Sequence, residues 1–213
     1  MIPNIENIRK EYSLKKLDEN ETKDCPFEQF RIWFQEALDA NVNEPNAMVL
    51  STLGMNNYPS SRVVLLRGVS QSGLRFFTNY KSKKGKELDK NPKAALNFFW
   101  PELERQIRIV GDVVKTSEQV SDEYFNSRPY NSRIGAWASP QSEVIPSRDW
   151  LENMEKEYKL KYNEDSIKRP EYWGGYELLP IEFEFWQGRP SRLHDRIVYE
   201  LSDNKWIKKR LAP

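Results

Sequence analysis

The sequence predicts a mostly β fold with peripheral helices, an α+β protein built on a barrel, on three observations. Short segments at 47–53, 62–69, 74–79, 94–100 and 106–115 are rich in Val, Ile, Leu and Phe and are separated by turn signals such as Tyr58-Pro59 and Gln71-Ser72-Gly73. A second strand-forming stretch closes the chain, where Ile181, Phe183 and Phe185 alternate with Glu182 and Glu184. Helical periodicity appears before and between these two groups and, once, within the first.

Each element follows from its local pattern. Residues 4–18 carry Ile5, Ile8, Tyr12 and Leu17 among charges, which predicts a weakly amphipathic helix or arm. The chain is therefore divided into an arm, 1–24, and one domain, 25–213. Phe27, Phe30, Phe34, Ala37 and Leu38 share a helical face behind Pro26, which suits a first turn, and this helix should end near Asn41. A helix at 83–90 interrupts the first strands before Asn91-Pro92. Helices are expected again at 117–127, where Thr116 and Gln119 have capping-box spacing, and at 148–162, where Leu151, Met154, Tyr158 and Tyr162 share a face. Strands at 193–201 and 205–211 flank the turn Ser202-Asp203-Asn204.

Composition narrows the function classes. The 213 residues hold 33 Lys plus Arg against 32 Asp plus Glu, a net charge of +1, which supplies no broad footprint for nucleic acid. A domain of this length buries roughly 70% of its unfolded surface, and 7 Trp, 10 Tyr and 10 Phe provide the large rings to fill a core and argue against disorder. No apolar run approaches the ~20 residues of a membrane span, and residues 1–16 lack the continuous apolar centre of a secretory signal. A single cysteine, Cys25, fits a reducing compartment, and a cytoplasmic protein is expected. One histidine, His194, and one cysteine cannot form a zinc finger or a three-histidine centre, so no metal site is expected. The nine glycines form neither G-x-G-x-x-G nor a P-loop. Any bound phosphate must be held by Arg and Lys side chains.

Several groups have the right chemistry for that. In a strand from Arg192, alternation places Arg192, His194 and Arg196 on one face, able to clamp an anion, although a solvated polar face is the simpler reading of the spacing alone. Arg62 and Arg67 bracket Val63, Val64, Leu65 and Leu66; their odd separation directs them to opposite faces of a regular strand. Lys81, Lys83, Lys84 and Lys86 cluster at a helix start, where main-chain N–H groups also attract anions, and a solvated charge run fits as well. Tyr124, Arg128 and Ser132 recur every four residues, but Pro129 argues against one continuous helix. Gln106, Gln141 and Ser142 can read the carbonyls and nitrogens of a heterocycle. Trp186 ends the Phe183 to Phe185 run, where a core position is the simpler reading than a cofactor contact.

These residues sit in segments that resemble the pyridoxine/pyridoxamine 5′-phosphate oxidase family. The segments are Arg62-Val63-Val64-Leu65-Leu66-Arg67, Phe76-Phe77-Thr78-Asn79, Lys83-Lys84-Gly85-Lys86-Glu87-Leu88 and Arg105-Gln106-Ile107-Arg108. Further along come Tyr124-Phe125, Ser127-Arg128-Pro129, Gln141-Ser142, Trp173-Gly174-Gly175, Phe185-Trp186-Gln187-Gly188, Arg192-Leu193-His194-Asp195-Arg196 and the terminal Arg210-Leu211-Ala212-Pro213. The match runs in order from about Phe27 to Pro213.

The resemblance implies an FMN-binding split β-barrel that forms a homodimer with FMN at the subunit interface. It implies oxidation of pyridoxine 5′-phosphate and pyridoxamine 5′-phosphate to pyridoxal 5′-phosphate by hydride transfer to the flavin, with oxygen as acceptor. By position, Arg62, Val63, Val64, Leu65, Arg67, Phe77, Thr78, Lys83, Lys84, Gln106, Gln141, Ser142, Trp186 and Arg196 resemble the FMN-contacting set, with Arg62 and Lys84 at the cofactor phosphate. Arg67, Tyr124, Arg128 and Ser132 resemble the substrate-phosphate set. Arg192, Leu193 and His194 resemble residues over the substrate ring, with Arg192 and His194 as catalytic candidates. Arg9, Lys10, Glu11 and Tyr12 resemble a segment that closes over the substrate. Two departures stand out: Arg67 where the family commonly has lysine, and Lys83 where it often has arginine, exchanges that alter phosphate geometry. An NADH-dependent flavin reductase-like barrel and a non-catalytic flavin or pyridoxal phosphate binder are the alternatives.

Overall fold

A computed structural model describes residues 5–8 and 10–213. Among the described residues the strands are β1 (Ala47–Leu53), β2 (Pro59–Leu65), β3 (Gly68–Val69), β4 (Leu74–Asn79), β5 (Lys93–Trp100), β6 (Arg105–Lys115), β7 (Trp173–Gln187), β8 (Asp195–Ser202) and β9 (Lys205–Leu211). The helices are α1 (Pro26–Asp39), α2 (Lys83–Lys90), α3 (Glu118–Ser127), α4 (Tyr130–Ala138) and α5 (Arg148–Lys161). The strands hydrogen-bond in the order β2-β1-β5-β6-β7-β4-β3, with β8 on β7 and β9 on β8. This is the mostly β, helix-flanked class the sequence predicts. No described helix is long and apolar enough to cross a membrane.

Contacts divide the chain into two compact units. The first comprises Met1–Val49, Leu96–Val110 and Pro180–Pro213. Here α1 turns Phe27, Phe30, Trp33 and Ala37 inward. Phe27 meets Phe183 at 5.2 Å between ring centroids, Phe30 meets Phe98 at 5.4 Å and Trp33 meets Phe185 at 5.2 Å. Each ring buried this way contributes on the order of 2 kcal/mol. The second half of β7 pairs antiparallel with β8, Phe183 opposite Tyr199 and Trp186 opposite Arg196. The β8–β9 turn has φ of 48° at Asp203 and 60° at Asn204, the paired left-handed conformations a two-residue hairpin requires.

Of the helix or arm expected at the amino terminus, the described residues form an arm: a short 3-10 turn, Ile5–Asn7, is followed by N–H groups that donate to acidic side chains far along the chain. One expectation fails in this unit. The strand predicted from 193 starts at Asp195, because Ser191 and Arg192 adopt left-handed φ of 56° and 61° after Pro190. Arg192 and His194 therefore stand in a turn and do not share a strand face with Arg196.

The second unit comprises Leu50–Ala95 and Gly111–Leu179. Its core gathers Phe125, Ile134, Ile167 and Trp173, with Phe77 and Tyr124 packed against it. The Phe77 and Tyr124 rings stack at 3.9 Å. In α2, Ser82 caps the helix by accepting the Gly85 N–H, and Gly85 is required because a side chain there would meet the Tyr80 backbone. Helix α3 is capped by Ser117, which accepts the Val120 N–H, whereas Thr116 bonds Ser121; the predicted Thr116 cap is one residue early. Helix α4 is absent from the sequence reading. Its amphipathic signal is weak, and the clue is Pro129 at its start. The continuous strand predicted at 62–69 breaks at Leu66 and Arg67 into β2 and β3.

Candidate functional site

In the second unit a cavity of about 750 Å³ is lined by four cationic side chains, Arg62, Arg67, Lys84 and Arg128. Tyr124, Ser132, Thr78 and Gln141 add polar groups, and Val63, Val64, Leu65, Phe77 and Trp173 supply apolar wall. The break after Leu65 is what lets Arg62 and Arg67 reach the same cavity, correcting the expectation that they face opposite ways. Tyr124, Arg128 and Ser132 also converge, although no single helix carries them: Tyr124 lies on α3, Arg128 is its extended C-cap and Ser132 lies on α4.

Two of the cations form an ordered corner. Lys84 is 8% exposed, and its ammonium donates to Thr78 Oγ1 at 3.1 Å and Ser82 Oγ at 3.5 Å. Thr78 in turn donates to Gln141 Oε1 at 3.1 Å. Burial, and then the Arg62 charge, push the Lys84 pKa below the usual lysine range. Arg62 donates to Glu87 Oε2 at 2.9 Å, to Thr52 Oγ1 at 2.6 Å and to the Ser60 carbonyl at 3.0 Å. Glu87 is fully buried. Burial alone would raise its pKa, but the Thr52 hydrogen bond and the Arg62 charge outweigh that and lower it.

At Arg128 the guanidinium lies 4.6 Å over the Trp173 ring, and its Nη1 is buried without a hydrogen-bond partner. Burial lowers its pKa, opposed by Tyr124 and reinforced by the Arg67 charge. Arg67 lies 6.0 Å over the Tyr124 ring. Thus Arg62 with Lys84, and Arg67 with Arg128, are two cation pairs that an anion would relieve.

The first unit holds a second pocket, about 440 Å³, lined by Lys10, Glu11, Tyr12, Arg189, Arg192 and His194 among others. His194 Nδ1 accepts the Arg189 N–H at 3.1 Å. Burial and the Arg192 charge lower the His194 pKa from its ordinary 6.5. Trp186 stands 4.6 Å from the His194 ring. Arg196 donates to Glu184 at 2.8 Å and to the Ala212 carbonyl at 2.9 Å, and Glu184 also accepts from Arg108 at 3.0 Å.

Other sequence candidates fall elsewhere. Lys83 is exposed on α2, Ser142 is exposed with φ 73°, and neither lines the cavity. Of the lysine cluster only Lys84 turns inward; Lys86 pairs with Glu143, and Lys81 lies over Tyr172. Leu193 is 69% exposed and outside the second pocket. Gln106 is half-buried on β6, and Arg9 lies outside the described residues. Thr52, Ser60 and Glu87, which hold Arg62, were not singled out in the sequence; the three-residue spacing of Lys84 and Glu87 in one helix is the signal that points to Glu87.

The fold is that of the split-barrel proteins. PhzG from Burkholderia lata, solved in complex with tetrahydrophenazine-1-carboxylic acid, has a TM-score of 0.88 at 31% identity, covering 94% of this chain and 100% of that one. The chain belongs to the pyridoxamine 5′-phosphate oxidase family: residues 34–161 match the family described as pyridoxamine 5′-phosphate oxidase, and residues 173–213 match the pyridoxine 5′-phosphate oxidase C-terminal dimerisation region. It is 54% identical over 211 residues to the pyridoxine/pyridoxamine 5′-phosphate oxidase of Paraburkholderia xenovorans, covering 98% of this chain and 99% of that one. The enzyme of that name from Cytophaga hutchinsonii is 53% identical over 215 residues, covering 100% of both.

Proposed function

We propose that this protein oxidises pyridoxine 5′-phosphate and pyridoxamine 5′-phosphate to pyridoxal 5′-phosphate, as a homodimer with FMN at the subunit interface. Dioxygen accepts the electrons and leaves as hydrogen peroxide; with the amine substrate, water hydrolyses the oxidised C=N bond to the aldehyde and releases ammonia. The observation that carries the reading is the cavity with two cation pairs, one buried ammonium hydrogen-bonded to hydroxyls and one buried guanidinium nitrogen with no partner. Such donors suit phosphate oxygens.

The same donors fit FMN. Arg62, Lys84, Thr78 and Gln141 would hold its phosphate end, with Gln106, Trp186 and Arg196 as further contacts from the resemblance; bound FMN supplies a two-electron acceptor for a hydride from the substrate's 4′ carbon. Arg67, Tyr124, Arg128 and Ser132 anchor the substrate phosphate, fixing the ring's position so that binding is converted to orientation. Arg192 and His194 orient the alcohol or amine while its proton leaves through water: the Arg192 guanidinium is a donor only, and His194, whose Nδ1 accepts the Arg189 N–H, presents Nε2 to the substrate side.

A peroxide-release assay with both phosphorylated vitamers and their unphosphorylated counterparts tests this. Turnover restricted to the phosphorylated forms is expected. Equal turnover of pyridoxine removes the phosphate role of Arg128, and NADH consumption without vitamer oxidation overturns the reading in favour of a reductase.

A further inference from the structure

Glu104, in the turn between β5 and β6, has a left-handed backbone (φ 53°) and is 2% exposed. Its carbonyl accepts the Gly188 N–H at 2.8 Å, which ties it to the end of β7. Its carboxylate faces the amino-terminal segment. Oε2 accepts the successive N–H groups of Ser13 at 2.8 Å and Leu14 at 3.1 Å, and Oε1 lies 3.5 Å from Lys10 Nζ. A second acid holds the far end of the segment: the Leu17 N–H donates to Asp195 at 3.0 Å.

Just before these anchors Tyr12 lies across the end of β7. Its ring is 5.7 Å from Trp186 and 5.9 Å from His194. Gly188 forms the seat, since a Cβ there would stand 2.7 Å from Tyr12 Cγ. The segment is thus strapped over one wall of the Arg192 and His194 pocket by main-chain hydrogen bonds to a buried carboxylate, the stronger, charge-assisted kind.

We propose that Glu104 is a positioning residue: its carboxylate latches residues 10–17 so that Tyr12 completes the pocket and shields it from water. What the pocket holds rests on the function proposed above, whereas the latch can be read without any substrate.

Two variants separate the carboxylate from the fold. Glu104→Gly removes the latch and suits the left-handed backbone better than glutamate does, so the turn is spared. Glu104→Gln keeps an acceptor oxygen for Ser13 and Leu14. In the FMN-loaded protein, trypsin should cut Glu104→Gly after Lys10, Lys15 or Lys16 about tenfold faster than the parent, the factor expected for loss of a charge-assisted hydrogen bond. Glu104→Gln, which keeps an acceptor but not the charge, should fall between the parent and Glu104→Gly, and Gly188→Ala, which pushes the Tyr12 ring from its seat, should behave like Glu104→Gly. The KM for pyridoxine 5′-phosphate should rise in Glu104→Gly more than kcat falls. Equal cutting of parent and Glu104→Gly, or cutting spread through the whole chain, overturns the latch. Faster cutting at these lysines with an unchanged KM sustains the latch and removes this pocket from the substrate assignment.

Discussion

Arg128 is held face-on to Trp173, 4.6 Å above the ring, with its Nη1 sealed from solvent and lacking an acceptor. A buried donor left unsatisfied costs on the order of 1–3 kcal/mol. A phosphate oxygen entering the cavity removes that cost. Arg128→Lys keeps the charge but loses the planar fork, and it should raise KM for pyridoxine 5′-phosphate by about 10- to 100-fold with a smaller change in kcat. Steady-state peroxide release reads both constants, and an unchanged KM takes Arg128 out of the phosphate grip.

Lys84→Met should lower FMN affinity by about tenfold or more, because this buried ammonium spends its hydrogen bonds on two hydroxyls and has charge to offer an anionic ligand. Flavin absorbance per protein in the purified variant, followed by fluorescence titration, measures it. Lys90→Met, exposed on the same helix, serves as the control.

Glu87→Gln should both destabilise the protein and loosen FMN. The change strips the charge from a fully buried carboxylate that Arg62 and Thr52 share. With Arg62 itself 19% exposed, the loss should be on the order of 2 kcal/mol, or about 4–8 °C in Tm. Thermal unfolding of the variant beside Lys90→Met would reveal the difference, and coincident curves would show that the pair contributes nothing.

The single histidine makes a clean titration possible. Its imidazole proton signals should move with a midpoint below the ordinary 6.5, and Arg192→Ala should shift that midpoint up, since the neighbouring charge is one of its causes. The stability effect follows in sign. Unfolded His194 holds its proton more tightly than folded His194, so the protein loses stability as pH falls through about 6.5 and is unaffected by this group well above it. A midpoint at or above 6.5 by NMR would contradict the burial seen here.

Strand and helix segments were legible wherever the pattern was local. Leu74–Asn79, Lys83–Lys90 and Lys205–Leu211 follow directly from alternation, helix-favouring residues and turn signals. Chemistry carried by kinks was harder to read. Arg62 and Arg67 share a cavity because the chain leaves the strand at Leu66, and Arg192 is turned out by two left-handed residues whose identities, Ser191 and Arg192, give no hint of that conformation. Tyr124, Arg128 and Ser132 stand at helical spacing, yet their convergence depends on a break at Pro129 and a new helix, a tertiary outcome that spacing alone does not contain. The partners of Glu104 lie about ninety positions away, beyond any local pattern.

Helix α2 carries both Lys84, whose ammonium enters the cavity, and Glu87, which steadies Arg62 from behind. One rigid element of eight residues thus governs two grips at once. A substitution that tilts it, even on its outer surface, would slacken both fingers together, so ligand tightness in this protein should vary in coupled steps and resist being tuned one contact at a time.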